Sequence, residues 1–175
     1  MVNKQKTIKD ILARAKKIRL LLMDCDGVLT DGKLYFSAKG EELKVFNIHD
    51  GQGIVSWHQA GFRSGIISGR DLRIVKKRAT ELGIHYIKSR SFDKAKDFEV
   101  ILKDAKVSSD EVAFVGDDIG DICLLKKVGL PIVVADAAQE VVPYALYKTE
   151  SKGGFGAVRE VTNLLLTSKN MNNSK

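Results

Sequence analysis

The chain has 175 residues, 44% hydrophobic and 29% charged, which fits one globular domain and excludes disorder throughout. No apolar run approaches the roughly 20 residues of a membrane span, the start MVNKQKTIKD lacks a signal peptide's apolar core, and Cys25 and Cys123 are too few for a disulfide framework, so we expect a cytoplasmic protein. Residues 1–19 carry seven basic residues against Asp10, most of the net charge of +7, and no aromatic residue; we therefore expect a solvated helix face and no nucleic-acid partner.

Apolar strand patterns alternate with helical patterns along most of the chain. Helices are predicted over 7–18, 52–60, 71–82, 93–105, 119–128 and 156–166, and strands over 19–24, 62–68, 84–88, 111–117 and 130–136. Between them, 33–46 reads as a β-hairpin turning at 38–40. The alternation predicts an α/β fold with a doubly wound parallel sheet in three α/β/α layers. We expect a basic helix over 1–18, one domain over 19–166 and a frayed polar tail over 167–175.

Three of the predicted strands end in polar side chains: Asp24, Ser68 and Asp117. Ligands of doubly wound sheets bind at the carboxyl ends of strands. Asp26 follows Asp24 by two residues, so in an extended chain both carboxylates face one side. Such a pair needs a cation or a shared proton. The alternative is a solvated strand end followed by a turn at Gly27.

The second acidic strand end lies in the segment GDDIGD, residues 116–121, where Asp118 and Asp121 accompany Asp117. Acidic residues also favour a helix start for electrostatic reasons alone. Two acidic strand ends in one sheet, however, form an oxygen-only ligand set of the kind that Mg²⁺ prefers. No cluster of histidine and cysteine competes for a softer metal.

Ser68, Gly69 and Lys94 suggest an anion site. A hydroxyl and free N–H groups at a helix start bind anions, although Ser68 could equally be a simple N-cap. Lys94 opposes the helix dipole at its position, which indicates a nearby anion, with Asp93 as one candidate. Arg78 falls on the apolar face of its helix, so we expect it to meet an interior acid, an anionic ligand or a neighbouring subunit. His58, also on an apolar face, is interpreted as a packed histidine.

These motifs, taken in order, resemble those of the haloacid dehalogenase-like phosphatases. The matching segments are DCDGV (24–28), ISGR (67–70), Lys94 and GDDIGD (116–121). The stretches KVFNIHDGQGI (44–54) and GGFGAVREV (153–161) are similar to the small, capless branch that includes the 3-deoxy-D-manno-octulosonate 8-phosphate phosphatases. The resemblance covers roughly residues 18–166 and implies a Mg²⁺-dependent phosphatase of a sugar-acid phosphate, without a cap domain.

The resemblance also implies residue roles. Asp24 would be the nucleophile that forms an aspartyl-phosphate, and Asp26 the general acid and base. Asp24, the Asp26 carbonyl and Asp117 would hold Mg²⁺, with Asp118 and Asp121 as supporting acids, while Ser68 and Lys94 would bind the phosphoryl oxygens. Substrate contacts would come from Asn47, His49, Asp50, Gly51, Arg70 and Arg78. The hairpin over 33–46 would reach a neighbouring subunit in a homotetramer.

Three alternatives stay open at this point. Secure octulosonate phosphatases carry arginines where this chain has His49, Val55 and Phe155, so a nonulosonate 9-phosphate phosphatase of the same branch is one. A non-catalytic phosphatase-like module that serves assembly is the second. The third is a phospho-acceptor signalling domain, which would have no use for an acid and base at Asp26.

Overall fold

The structure, a computed structural model, describes residues 4–71 and 73–170. The helices within these ranges are α1 (Lys4–Lys17), α2 (Ile48–Gln59), α3 (Arg73–Glu81), α4 (Lys94–Ala105), α5 (Ile122–Leu125) and α6 (Ala157–Asn170). The strands are β1 (Leu20–Met23), β2 (Tyr35–Ser37), β3 (Gly40–Leu43), β4 (Arg63–Ile67), β5 (Tyr86–Lys88), β6 (Val112–Gly116), β7 (Leu130–Val133) and β8 (Tyr147–Lys148).

Six strands form one parallel sheet in the order β5-β4-β1-β6-β7-β8. The central strand β1 is buried along its whole length, as are all five residues of β6. Such continuous apolar runs are typical of parallel strands covered by helices on both faces. The predicted doubly wound α/β fold is confirmed, and in the described residues only the hairpin, α2 and their connecting loops separate β1 from β4, which leaves no cap domain there.

The order of the strands determines where a ligand can bind. From β1 the chain moves outward to β4 and β5, then crosses back to β6 on the other side of β1 and continues to β7 and β8. The direction of winding therefore reverses between β1 and β6. The loops that follow these two strands diverge and leave a crevice at their carboxyl ends, which is where Asp24 and Asp117 lie.

The N-terminal helix belongs to the same core as the sheet. Ile11, Ala15 and Ile18 are buried, and α1 packs on α6 and β7. Lys9, Lys16 and Lys17 are exposed on its outer face, as an amphipathic helix requires. The described helix Lys4–Lys17 thus packs directly on the core of the domain.

The C-terminal helix is longer than predicted. The polar composition of residues 167–175 suggested a tail, but α6 continues to Asn170, while residues 171–175 lie outside the described part. Ser168 is buried and donates to the Leu165 carbonyl at 2.7 Å. Lys169 Nζ donates to the carbonyls of Lys16 and Ile18 at 2.8 and 2.6 Å. The tertiary hydrogen bonds of Lys169, which composition does not reveal, hold the last turn of α6 in place.

Local interactions shift several other boundaries. The predicted hairpin is present as the antiparallel pair β2–β3. Helix α2 starts at Ile48 rather than Gln52, because the Asn47 side chain accepts from the His49 N–H at 2.8 Å and caps it. The predicted helix over 119–128 is a 3₁₀ turn followed by the short α5. Strand β8 was missed, since two residues give no periodic pattern.

None of the described helices combines the length and the hydrophobicity that a membrane span requires.

Candidate active site

A polar cleft of about 360 Å³ lies where β1, β4 and β6 end. It brings together residues that are far apart in the sequence. Among the residues lining it are eight predicted site residues: Asp24, Asp26, Ser68, Arg70, Lys94, Asp117, Asp118 and Asp121. The sheet topology thus gathers the strand-end residues of the predicted motifs into one site.

Lys94, the first residue of α4, is nearly buried between two carboxylates. Its Nζ lies 3.3 Å from Oδ1 of Asp24 and donates to Oδ1 of Asp121 at 2.7 Å. Burial by itself would lower the pKa of Lys94, but the charges of Asp121 and Asp24 outweigh it and raise this pKa. The anion that we expected beside Lys94 is therefore this pair, whereas Asp93 caps α4 by accepting from the Lys96 N–H at 3.0 Å.

Asp24, Asp117 and Asp121 offer carboxylate oxygens that all lie within 4.8 Å of one another. Burial, reinforced by the charges of Asp121 and Asp24, raises the pKa of Asp117 to about 8. Burial, followed by the charge of Asp121, raises the pKa of Asp24 to about 6. Negative charge at this point is therefore under-compensated by the protein alone, and a bound cation would relieve it.

The hydrogen bonds separate metal ligands from supporting residues within this cluster. Asp121 uses Oδ1 for Lys94 and accepts the Asp117 N–H at 2.9 Å with Oδ2, so both of its oxygens are occupied. Oδ1 of Asp117 is buried and receives no hydrogen bond in the described part of the chain. Oxygen ligands of this kind fit a divalent cation such as Mg²⁺. The arrangement favours Asp24 and Asp117 as metal ligands, with Asp121 holding Asp117 and Lys94 in place.

Asp26 lies between two cations. Lys44 Nζ makes a short contact with its Oδ1, and Arg70 Nε lies 3.2 Å from its Oδ2. The Lys44 side chain is 1% exposed. The sequence analysis gives Lys44 no role. Its position at the start of the 44–54 stretch, which is part of the family resemblance, is the one feature that points to it.

Ser68 follows β4, as predicted, and is buried at the base of the cleft. Its Oγ accepts from the Arg70 N–H at 3.3 Å. The loop after β5 supports this segment, because the N–H groups of Ser91 and Arg90 donate to the carbonyls of Ser68 and Arg70, both at 3.0 Å. The loop that carries Ser68 and Arg70 is thus held in shape by backbone hydrogen bonds.

The other predicted substrate residues gather around the start of α2 and are not among the residues lining the cleft. Asn47 donates to the Gly154 carbonyl at 3.3 Å, and His49 is exposed. Asp50 is 1% exposed and accepts from the N–H groups of Gly156 and Arg159, so in this chain it anchors the start of α6. These contacts give Asn47 and Asp50 structural functions, while their assignment to substrate stays a prediction.

Arg78 and His58 are the two residues that the sequence placed on apolar helix faces. Arg78 lies on α3 beside Gly51, where an added Cβ would come within 2.4 Å of its Nη2, and Nη1 of Arg78 pairs with the exposed Glu81 at 2.9 Å. Among the described residues, the acid that pairs with Arg78 is therefore an exposed one rather than a buried one. His58 is a packed histidine as predicted, with Nε2 2.7 Å from Ser64 Oγ and Nδ1 3.1 Å from the Leu82 carbonyl.

The glycine-rich segment GGFG, residues 153–156, packs against the turn that follows Asp26. A Cβ added to Gly153 would lie 1.7 Å from the Gly27 carbonyl oxygen, so only glycine allows this approach. The Gly154 N–H donates to the Val28 carbonyl at 2.9 Å. This segment, which was known from the sequence only by its resemblance, buttresses the loop that carries the paired aspartates.

Comparisons with known proteins identify relatives of the chain. The sequence model of the haloacid dehalogenase-like hydrolases matches residues 84–161. The 3-deoxy-D-manno-octulosonate 8-phosphate phosphatase KdsC of Escherichia coli is 43% identical over 157 residues, 90% of this chain and 84% of that protein.

Solved structures are similar over nearly the whole chain. A hydrolase of the same superfamily from Legionella pneumophila superposes with a TM-score of 0.94 at 36% identity, over 99% of this chain and 95% of its own. A 3-deoxy-D-manno-octulosonate 8-phosphate phosphatase from Moraxella catarrhalis, solved with a magnesium ion, a phosphate ion and a KDO molecule, gives 0.90 at 34% identity and covers 95% of both chains.

The fold, the acidic cleft and the matching sequence model define one class, the haloacid dehalogenase-like hydrolases. Identity at this level over nine-tenths of the chain is more specific than the class. Within it, the chain belongs to the family of the 3-deoxy-D-manno-octulosonate 8-phosphate phosphatases.

Proposed function

We propose that this protein is a Mg²⁺-dependent phosphatase that hydrolyses 3-deoxy-D-manno-octulosonate 8-phosphate to the free sugar acid and phosphate, a step in lipopolysaccharide precursor synthesis. The observation that carries the proposal is the convergence of Asp24, Asp26, Lys94 and Asp117 in one cleft, in a chain of this family. The same convergence argues against a non-catalytic module. Asp26, beside Asp24, argues against a signalling domain that must retain its acyl-phosphate.

In the proposed reaction, a carboxylate oxygen of Asp24 attacks phosphorus and the bond from phosphorus to the sugar oxygen breaks, which leaves an aspartyl-phosphate. Asp26 gives its proton to the departing oxygen. Asp26 then removes a proton from water, and the water oxygen attacks the same phosphorus. The bond to Asp24 breaks, inorganic phosphate leaves, and both carboxyl groups return to their starting states.

Charge compensation is the other contribution of the site. Lys94 lies 3.3 Å from Asp24 and 2.7 Å from Asp121, close enough to reach a phosphoryl oxygen beside the nucleophile, and the Ser68 hydroxyl lies in the same cleft. A Mg²⁺ ion held by Asp24, Asp117 and the Asp26 carbonyl would neutralise charge on the transferring group and on the acidic cluster. The attack of one anion on another would otherwise be strongly opposed.

The identity of the sugar acid is the finer part of the proposal. His49 and Phe155 are exposed near the start of α2, at positions where octulosonate phosphatases carry arginines, and Val55 lies further along α2. A nonulosonate 9-phosphate is therefore the second candidate. Arg70 lines the cleft beside Asp26, and the family resemblance assigns it to substrate binding in either case.

A side-by-side assay tests the proposal. We expect Mg²⁺-dependent phosphate release from octulosonate 8-phosphate with a kcat/KM at least about tenfold above that for a nonulosonate 9-phosphate or hexose phosphates. The gain or loss of one or two contacts with the substrate accounts for a ratio of this size. Asp24→Asn should abolish release while retaining the wild-type circular dichroism spectrum. Asp26→Asn should be nearly as severe. Release by Asp24→Asn at a tenth of the wild-type rate, or silence of the wild type on every substrate, would contradict the proposal.

A homotetramer in which the hairpin contacts a neighbouring subunit is part of the same proposal. Phe36 at the hairpin is 65% exposed and Leu43 61%, and Val45 is 58% exposed. A two-stranded hairpin with an uncovered apolar face is only marginally stable in water, and closed assembly would cover it. The cytoplasmic location stays a prediction from the sequence.

A further inference from the structure

Lys44 is oriented against the usual pattern of its strand. It follows β3 directly, and its neighbours Leu43 and Val45 are 61% and 58% exposed, whereas the Lys44 side chain is 1% exposed. The apolar side chains thus face outward and the ammonium group faces inward. A lysine is almost never fully buried unless a charged partner holds it, so the reason for this reversal must lie inside the cleft.

Asp26 is a charged partner of Lys44 in the cleft. Lys44 Nζ contacts Oδ1 of this residue, and Arg70 Nε stands 3.2 Å from Oδ2. The hydrogen bond from Lys44 therefore holds Oδ1, whereas Oδ2, with Arg70 as its ion-pair neighbour, accepts no hydrogen bond in the described residues and is the oxygen left to carry the transferred proton. The ammonium group from the hairpin and the guanidinium group from the loop after β4 together restrain the rotation of the Asp26 side chain. Proton transfer depends on placing the acid within hydrogen-bond reach of the leaving oxygen, so this restraint bears on catalysis.

We propose that Lys44 is a positioning residue that fixes the Asp26 carboxyl group for proton transfer to the leaving alcohol. The inference rests on the proposed phosphatase reaction, in which Asp26 is the acid. It adds that the hairpin, through Lys44, completes the catalytic geometry of its own subunit. A displaced hairpin would withdraw the ammonium group and leave Asp26 held by Arg70 alone.

The test compares substrates that differ in their need for an acid. Sugar phosphates release an alkoxide, which requires a proton, whereas p-nitrophenyl phosphate releases a stable phenolate. The ratio kcat/KM reports only the steps up to departure of the alcohol. Lys44→Met should lower kcat/KM about 10- to 100-fold on the best sugar-acid phosphate, part of the typical 10²–10⁴ contribution of general acid catalysis, and less than about threefold on p-nitrophenyl phosphate. Lys39→Met, at the exposed hairpin turn, is the matched control and should change neither.

Two further variants keep the result interpretable. Lys44→Arg keeps a cation at this place and should retain most of the sugar-phosphate activity. This variant also tests the inference if Lys44→Met does not fold. In an Asp26→Asn background, Lys44→Met should cause no further loss, because a positioning residue acts only through its partner. Equal losses on both substrates, no loss on either, or additive losses with Asp26→Asn would overturn the inference. A wild type inactive on all substrates would instead refute the underlying proposed function.

Discussion

At the scale of single residues, the site is defined by buried carboxylates whose joint ionisation is opposed in the absence of a metal. Asp24 and Asp117 end neighbouring strands, and Asp121 turns back between them from the loop after β6. Their burial and mutual repulsion raise the pKa values of Asp24 and Asp117. Burial of these carboxylates costs folding stability and creates a site for a cation. Strongly shifted pKa values of this kind are typical of functional sites.

The raised pKa of Asp117 leads to a prediction about pH. An aspartate with an ordinary pKa of 3.8 loses its proton in the unfolded chain, while folded Asp117 keeps its proton up to pH about 8. Stability that this group contributes is therefore present below pH 4 and lost as the pH rises towards 8. Since the pKa of Asp24 is raised only to about 6, the loss between pH 6 and 8 belongs mainly to Asp117.

We expect the melting temperature of the wild type in EDTA to fall between pH 6 and 8, and that of Asp117→Asn to fall clearly less over the same interval. Added Mg²⁺ at pH 8 should raise the melting temperature of the wild type but not of the variant, because binding to the folded state alone is stabilising. Scanning calorimetry measures both effects. A variant that still gains stability from Mg²⁺ would show that Asp117 is not a ligand.

At the scale of elements, helix α6 connects the ends of the chain to the site. Its start is anchored by Asp50 of α2 through the N–H groups of Gly156 and Arg159. Its last turn carries Lys169, which caps α1 and lies 4.5 Å over the ring of Phe62. One helix thus contacts the end of α1 with its last turn and follows directly on the GGFG segment, which packs against the loop that carries Asp24 and Asp26.

Lys169→Met is expected to lower the free energy of unfolding by about 1–3 kcal/mol, because it leaves two carbonyl groups at the end of α1 without their charged donor. The methionine retains most of the apolar contact with the rings of Trp57 and Phe62. Urea denaturation followed by circular dichroism gives the value. Lys96→Met, at an exposed position of α4, serves as the control, and equal stabilities of the two variants would refute the capping role.

At the scale of the whole molecule, the parallel sheet is covered on both faces while the hairpin is not. The core extends from α1 through the sheet to α6, and the hairpin forms a separate two-stranded sheet with Phe36 and Leu43 exposed. Burial of such side chains stabilises by roughly 1.5–3 kcal/mol each. A second copy of the chain is the occupant that our proposal assigns to this surface.

Phe36→Glu should therefore shift the assembly. We expect wild-type protein to scatter light with four times the chain mass of 19.3 kDa, and the variant to yield smaller species at the same concentration, since a charge in an apolar interface costs several kcal/mol unless it is paired. Size-exclusion chromatography with multi-angle light scattering decides the matter. A wild-type monomer would contradict the tetramer, and an unchanged mass for the variant would exclude Phe36 from the interface.

The sequence by itself determined five of the six strands of the sheet, the strand-end aspartates and the family, because buried parallel strands read as unbroken apolar runs and the motifs recur in fixed order. It could not determine the ends of α2 and α6, which depend on the Asn47 cap and on Lys169. It also left Lys44 unassigned, since a lysine on a hairpin is ordinarily solvated. Only the tertiary structure turned Lys44 inward onto Asp26, occupied both oxygens of Asp121 and left Asp117 uncompensated, because each of these depends on groups that the chain brings together from distant positions.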